Sequence, residues 1–197
     1  DDFIIEYFDK KASELIDFED LDILIGWSSF SLNSFKIAQK FKCLKILERG
    51  STHIEYQNEI VKEEYKIHNL KPVLTSDFVI KKELEEYKIA DYITVPTEFA
   101  KQTFIDRGIN ESKLIKIPYG VNINHFDKKS ENNQMHNNVS FRIIYTGAVS
   151  VRKGVIYLLK AYDGLNLKDS ELLIIGNIDK ELIPIDKKFR KNKKIKF

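Results

Sequence analysis

Apolar residues recur along this chain with two periods, and the two alternate. Short apolar runs rich in β-branched residues stand at 21–25, 43–47, 92–95, 114–117, 141–146 and 171–175, the length and composition of strands in a buried sheet. Between them apolar positions fall three and four apart, which places them on one face of a helix. Helices are expected over 3–18 (Ile4, Phe8, Leu15, Ile16) and after a cap at Ser31 or Asn33 (Phe35, Ala38, Phe41 inward). Others are expected over 54–67 (Val61, Tyr65, His68), 77–89 (Ile80, Leu84, Tyr87), 98–107 and 154–165 (Val155, Leu158, Leu159, Tyr162). Pro72 separates the third from the fourth. Pro96 breaks a strand and leaves Thr97 as an N-cap, and Gly108 ends the helix that follows. A last strand begins near Ile195.

Strand–helix alternation predicts parallel sheets covered by helices. The stretch 128–138 is rich in Asn, Lys and Ser without periodicity, so it reads as a linker. The expected class is therefore α/β, with two Rossmann-like lobes facing a cleft: residues 1–124, a linker at 125–140, and residues 141–197. Ligands of parallel sheets sit beyond the carboxyl ends of the strands, where the Gly- and Ser-bearing loops lie.

One loop stands out. The run 141–146, expected to be a strand buried on both faces, leads into Gly147-Ala148-Val149-Ser150-Val151-Arg152-Lys153-Gly154 and then a helical pattern. A Walker A loop needs its second glycine five positions after the first, but that position is Arg152. A dinucleotide fingerprint needs glycine at 149, which is Val. What remains is a helix N-terminus beside two cations, a place suited to a phosphate or diphosphate. The competing reading is an ordinary strand-to-helix turn with solvated cations.

Thirty-two basic and thirty acidic residues nearly cancel, which argues against a general nucleic-acid binder. The basic residues from Lys187 to Lys196 read as a solvated flank rather than an RNA or lipid patch. The single cysteine, Cys43, lies in an apolar run and reads as a small buried residue of a reducing compartment. No apolar stretch is long enough to span a bilayer, and the start lacks a signal-peptide pattern, so a cytoplasmic protein is expected. Among the four histidines no pair has metal-ligand spacing: His68 reads as a helix-face residue, His125 and His136 as linker residues.

Three ordered blocks carry a family resemblance: Ala90-Asp91-Tyr92-Ile93-Thr94-Val95-Pro96-Thr97-Glu98-Phe99, then Ile117-Pro118-Tyr119-Gly120-Val121-Asn122 with Phe126, then Gly147 with Lys153-Gly154. In this order and at these gaps the chain resembles the retaining glycosyltransferases of GT-B fold, family 4, from about Asp22 to Gly176. The resemblance implies transfer of a sugar from a nucleotide-diphosphate sugar to an acceptor hydroxyl of a carbohydrate or lipid-linked molecule. It implies no cofactor and no metal on the phosphates, leaves room for peripheral membrane contact, and fits cell-envelope polysaccharide biosynthesis.

In that family Lys153, assisted by Arg152, would stabilise the diphosphate leaving group, with Gly147, Ser150 and Gly154 shaping its approach. Gly50, Ser51 and His53 match the acceptor-side loop, where a histidine lies near the reacting carbon. Thr97, Tyr119, Gly120 and Asn122 would border the cleft. Asn122 stands where the family usually has aspartate, and the family's acidic E-x7-E element is expected well after the Gly176 strand, beyond Phe197. The chain is therefore expected to be an internal piece of a longer enzyme, inactive by itself. The alternative from another class is a non-catalytic sugar-nucleotide-binding or assembly module of the same fold.

Overall fold

The computed structural model describes residues 2–126 and 141–197. It divides into two compact units, Asp1–Ile60 with Val73–Val121, and Val61–Pro72 with Asn122–Phe197. Most of the expected linker, with His136, lies outside the described residues.

The first sheet holds β1 (Ile23–Trp27), β2 (Leu44–Glu48), β3 (Tyr92–Val95) and β4 (Leu114–Lys116), all parallel and adjacent in chain order. Its helices are α1 (Asp2–Leu15), α2 (Leu32–Ala38), α3 (Ile54–Ile67), α4 (Asp77–Ile89) and α5 (Glu98–Ile105), the second half of α3 grouping with the other unit. The second sheet is β5 (Phe141–Thr146), β6 (Ser170–Ile175) and β7 (Ile195–Lys196), again parallel and in chain order, with α6 (Val155–Leu165) and α7 (Ile183–Phe189). The alternation of periods thus reads correctly as two parallel sheets. No helix among the described residues is long and apolar enough to cross a membrane.

In the first unit Phe35, Leu47, Tyr87, Ile93, Val95 and Phe104 form the centre of the core, and Cys43 packs in a smaller cluster with Phe18 and Ala38. The bounds of α3, α4 and β3 coincide with those expected, and Pro96 ends β3 and Thr97 caps α5 where the sequence puts them; the cap of α4, Ser76, was not foreseen. The Ser76 hydroxyl accepts from Val79 N–H and the Thr97 hydroxyl from Ala100 N–H. Thr97→Ala removes that acceptor and should lower the melting stability of the unit by ~1 kcal/mol, measured by urea unfolding.

Four expectations need correction. Strand 141–146 is not buried on both faces: β5 is an edge strand among the described residues, Phe141 and Ile144 are exposed, and the buried residues belong to its neighbour β6. Strand 21–25 forms two residues later, as β1, and it too is an edge, with Ile25 64% exposed. Periodicity marks a strand but carries no information about its place in the sheet.

The third correction concerns α1, whose expected inner residues Ile4, Phe8 and Leu15 are exposed while Asp9 and Ser13 are buried. Asp9 lies 2.7 Å from the buried Lys82 ammonium and accepts from the N–H groups of Asn33 and Ser34. The N-terminus of α2 is therefore satisfied by a carboxylate from α1. Ser31 occupies the N-cap position but its hydroxyl donates to the Trp27 carbonyl instead. Fourth, Phe41 is exposed, since α2 stops at Ala38.

A second buried acidic group ties the loop after β1 to α4. Glu86 is fully buried and its two carboxylate oxygens accept from Ser29 N–H (2.7 Å) and Ser31 N–H (2.9 Å). Neighbouring Glu83 accepts from the Ser29 hydroxyl (2.6 Å) and the Tyr87 hydroxyl (2.5 Å) and faces Arg49 Nε at 3.3 Å. Ser29 sits at φ +74°, a left-handed conformation that serine adopts only when its surroundings impose it.

In the second unit, Glu171 pairs with both Arg142 and Lys196 across the sheet. The segment leading into α7 was not foreseen, because its buried Leu182 and Phe189 are interspersed with lysines. In the basic tail Lys194 donates to the Leu167 carbonyl and Lys196 is engaged with Glu171.

Candidate functional site

Two patches hold part of the set of residues singled out by sequence, one at the strand ends of each sheet. In the second unit, β5 ends at Thr146 and the loop turns at Gly147, with φ +138°. Tyr145 donates its hydroxyl to the Ala148 carbonyl at 2.7 Å and so covers this turn. Val149 is buried and continues the pairing: its N–H donates to the Asn177 carbonyl and its carbonyl accepts from Asp179 N–H. The loops that follow β5 and β6 are thereby stitched together.

Next comes a single 3₁₀ turn, Val151–Lys153, then Gly154 at φ +67°, then α6. Gly154 ends the short turn and opens the longer helix, a double role that a left-handed residue without Cβ can fill. Val151 and Val155 are buried, which fixes both elements from below. Arg152 and Lys153 point outward and make no ion pair or hydrogen bond from their side chains among the described residues. Ser150, 5% exposed, has a buried hydroxyl oxygen with no hydrogen-bond partner. The structure therefore brings together Gly147, Ser150, Arg152, Lys153 and Gly154: two uncompensated cations, one unsatisfied hydroxyl and the start of α6. That set can hold an anion with several oxygens.

In the first unit a cavity of about 120 Å³ opens at the carboxyl ends of β2, β3 and β4. Gly50, Tyr119 and Gly120 border it, and so do Glu48 and Arg49, which sequence reasoning did not single out. The Tyr119 hydroxyl lies so close over Gly50 that a Cβ there would come within 2.0 Å of it. Ser51 stands back from the cavity and donates to the Gln57 side-chain oxygen at 3.0 Å. Thr97 serves as the α5 cap, and Asn122 accepts from Asn124 N–H at the 3₁₀ turn Ile123–His125. Neither lines the cavity.

His53 is also absent from the cavity wall. It is 2% exposed, its ring centroid 5.1 Å from both Tyr87 and Phe104, and Nδ1 accepts from Glu55 N–H at the start of α3. Burial, with Arg107 and Arg49 nearby, lowers its pKa to about 4. Desolvation acts on Glu86 in the other direction and raises its pKa to about 7.

These two shifts oppose each other in stability. Between pH 6.5 and about 4 the unfolded chain binds a proton that buried His53 refuses, so stability falls as pH drops. Between pH 4.5 and about 7 folded Glu86 keeps a proton that the unfolded chain releases, so stability falls as pH rises. The wild-type melting curve should therefore be nearly flat from about pH 5 to 6.5. His53→Asn should lose ~2 kcal/mol over that rise, and Glu86→Gln should lose a similar amount over the corresponding fall. Thermal denaturation of the three proteins at several pH values checks this, and parallel profiles would contradict it.

The architecture defines the class first: an α/β fold of GT-B type, built on two Rossmann-like parallel sheets. Among solved structures, the chain is similar to a protein described as a UDP-N-acetylglucosamine 2-epimerase from Listeria monocytogenes, with TM-score 0.50 and 11% identity over 98% of this chain and 51% of that one. It also matches the lipopolysaccharide outer core galactosyltransferase WaaB in its apo form, with TM-score 0.47 and 13% identity over 97% of this chain and 46% of the other. At these identities the likeness is one of fold. The chain spans about half the length of the solved structures it matches. No protein-family model and no curated protein matches the sequence.

Proposed function

We propose that the protein is the binding and leaving-group portion of a retaining glycosyltransferase of the family 4 kind, acting on a nucleotide-diphosphate sugar. The observation that carries this reading is the loop 147–154, where Arg152 and Lys153 stand uncompensated beside the buried, unpartnered Ser150 hydroxyl and the N-terminus of α6. In the reaction the bond from the anomeric carbon to the diphosphate oxygen lengthens, and negative charge gathers on that diphosphate. Fixed cations and helix N–H groups aimed at this charge lower the barrier, because they need no reorganisation as it develops. No metal is invoked in this role. Lys153 contacts the phosphate nearer the sugar, Arg152 the adjacent one, and Ser150 donates its hydroxyl.

His53 has a supporting part in this scheme. Its neutral imidazole accepts from Glu55 N–H and orders the 50–53 loop, so the acceptor meets Gly50 and Tyr119 while the histidine stays beneath them. The acceptor is a hydroxyl-bearing carbohydrate or lipid-linked molecule, met in the cytoplasm or at the membrane surface. The test is to titrate the protein with a panel of nucleoside diphosphates and follow its melting temperature. A saturable rise that the Arg152→Ala/Lys153→Ala double variant loses supports the reading, and a rise that survives in that variant overturns it.

A further inference from the structure

We infer that the loop after β1 is a proton-sensitive latch: Glu86 clamps Ser29 and Ser31 when ionised, loosens them when protonated, and passes the change through Glu83 to Arg49. The inference stands apart from the glycosyltransferase reading and does not depend on what the cavity beside Arg49 receives.

The loop relies on Glu86 for part of its backbone bonding. Ser28 N–H donates to the Glu48 carbonyl at 3.1 Å and Phe30 N–H to the Trp27 carbonyl at 3.0 Å. The N–H groups of Ser29 and Ser31 have as acceptors the two oxygens of the fully buried Glu86, at 2.7 and 2.9 Å. An ionised carboxylate accepts at both oxygens, whereas protonation turns one of them into an O–H donor. Ser29 itself sits at φ +74°, a conformation that costs energy and persists while its surroundings hold it.

Glu86 makes no ion pair among the described residues, so its charge depends on the loop. The cations around it are engaged elsewhere. On α4, Lys82 is held by Asp9 (2.7 Å) and Glu6 (2.8 Å) of α1, and Arg49 after β2 faces Glu83. Lys36 on α2 pairs with Glu85 at the surface, and Lys45 on β2 pairs with Asp91. His53, packed on Tyr87, has its pKa lowered to about 4 by burial and brings no charge near neutral pH. Burial pushes the Glu86 carboxyl up to about 7, the Ser31 and Ser29 N–H groups oppose that rise, and Glu83 adds to it. Linkage is reciprocal: bonds that favour the ionised form are tightened by ionisation. The latch is therefore closed above about pH 7 and slack below it.

Glu83 carries the change to the cavity. Its Oε1 accepts from the Ser29 hydroxyl at 2.6 Å, and its Oε2 accepts from the Tyr87 hydroxyl and faces Arg49 Nε at 3.3 Å. When Ser29 relaxes, one side of this carboxylate loses its partner and its hold on the guanidinium alters. Arg49 borders the cavity at the ends of β2–β4, so a proton gained by Glu86 is felt in that wall.

The test follows the isotope-labelled chain by nuclear magnetic resonance from about pH 5.5 to 8.5. The Ser29 and Ser31 amide signals and the Arg49 Nε signal should move together, with the Glu86 side-chain carboxyl carbon, about one shared midpoint near 7. In Glu86→Gln, which presents one acceptor oxygen at every pH, those movements should vanish. Hydrogen-exchange protection of the Ser29 and Ser31 amides should then lie about tenfold below the wild-type value at high pH, the expected effect of losing a charge-assisted bond. Signals that stay fixed across the range, or that still titrate in Glu86→Gln, overturn the inference. So does a Glu86 carboxyl midpoint that differs from that of the two amides, a comparison made in the wild-type chain alone and so independent of whether the variant folds. Amides that titrate while Arg49 Nε stays still overturn the transmission to the cavity.

Discussion

On the glycosyltransferase reading, Lys153→Ala in the full-length protein should lower turnover by about two orders of magnitude, with a smaller loss of donor affinity. The asymmetry follows from when the charge appears. In the ground state the diphosphate of a nucleotide sugar already carries charge, and on the proposed reading Arg152, Ser150 and the start of α6 would still bind it. As the glycosidic bond opens, one further unit of charge develops on the oxygen that leaves, and a donor placed for that oxygen counts most at that moment. Removing one such preorganised donor typically costs about 10²–10³ in rate, equivalent to ~3–4 kcal/mol. Steady-state kinetics with a fixed acceptor separates the two effects, since kcat should fall while KM rises only modestly. Lys153→Arg should restore part of the rate, because it returns the charge with altered reach. Unchanged turnover in the alanine variant would remove Lys153 from the mechanism.

The second large effect is structural and concerns Gly176, at the end of β6. A Cβ there would lie 1.8 Å from the Gly147 carbonyl oxygen and 2.7 Å from its carbon, both backbone atoms. Backbone cannot swing aside as a side chain can. Gly147 N–H also donates to the Ile175 carbonyl at 2.9 Å, and Val149 bridges to Ile178. Gly176→Ala must therefore separate the loops that follow β5 and β6, losing these bonds as well as close packing. The expected loss is ~4 kcal/mol, in the exceptional range for one substitution, read as an earlier unfolding transition of the second unit. Nucleoside diphosphate binding should weaken with it, since the displaced loop is the one that presents Ser150 and Lys153. Gly164→Ala, on the exposed side of α6 where a Cβ meets nothing within 4 Å, is the neutral control.

The two outcomes show what a sequence reveals and what it keeps. The loop around Lys153 was legible because its signals are local: an apolar run, glycines at fixed offsets, a cationic pair, then a change of period. The cap at Thr97 was legible for the same reason, and it sets the start of α5. The Gly176–Gly147 contact was not, because it depends on two strand ends 29 positions apart lying side by side. Asp9 shows the same limit. A carboxylate on a helix with Ile4, Phe8 and Leu15 reads as solvent-facing until Lys82 and the N-terminus of α2 are seen around it.

The candidate cavity was half legible. Gly50, Tyr119 and Gly120 entered through the resemblance, whereas Glu48 and Arg49 looked like the polar end of a strand. What singles out Arg49 is which partners it has, Glu83 and Gln57, and that is settled only by folding. His53 differs for a related reason. A loop histidine between glycine and helix reads as accessible, yet two aromatic rings from α4 and α5 close over it.

The order of the strands bears on how such a chain is made. Among the described residues, each strand after the first of its sheet pairs with the one that left the ribosome just before it, β1 through β4 in one sheet and β5 through β7 in the other. A nascent polypeptide need not hold a slot open for a later segment to be threaded between two earlier strands. Each new segment docks onto a template already standing, so synthesis and assembly can advance at the same pace.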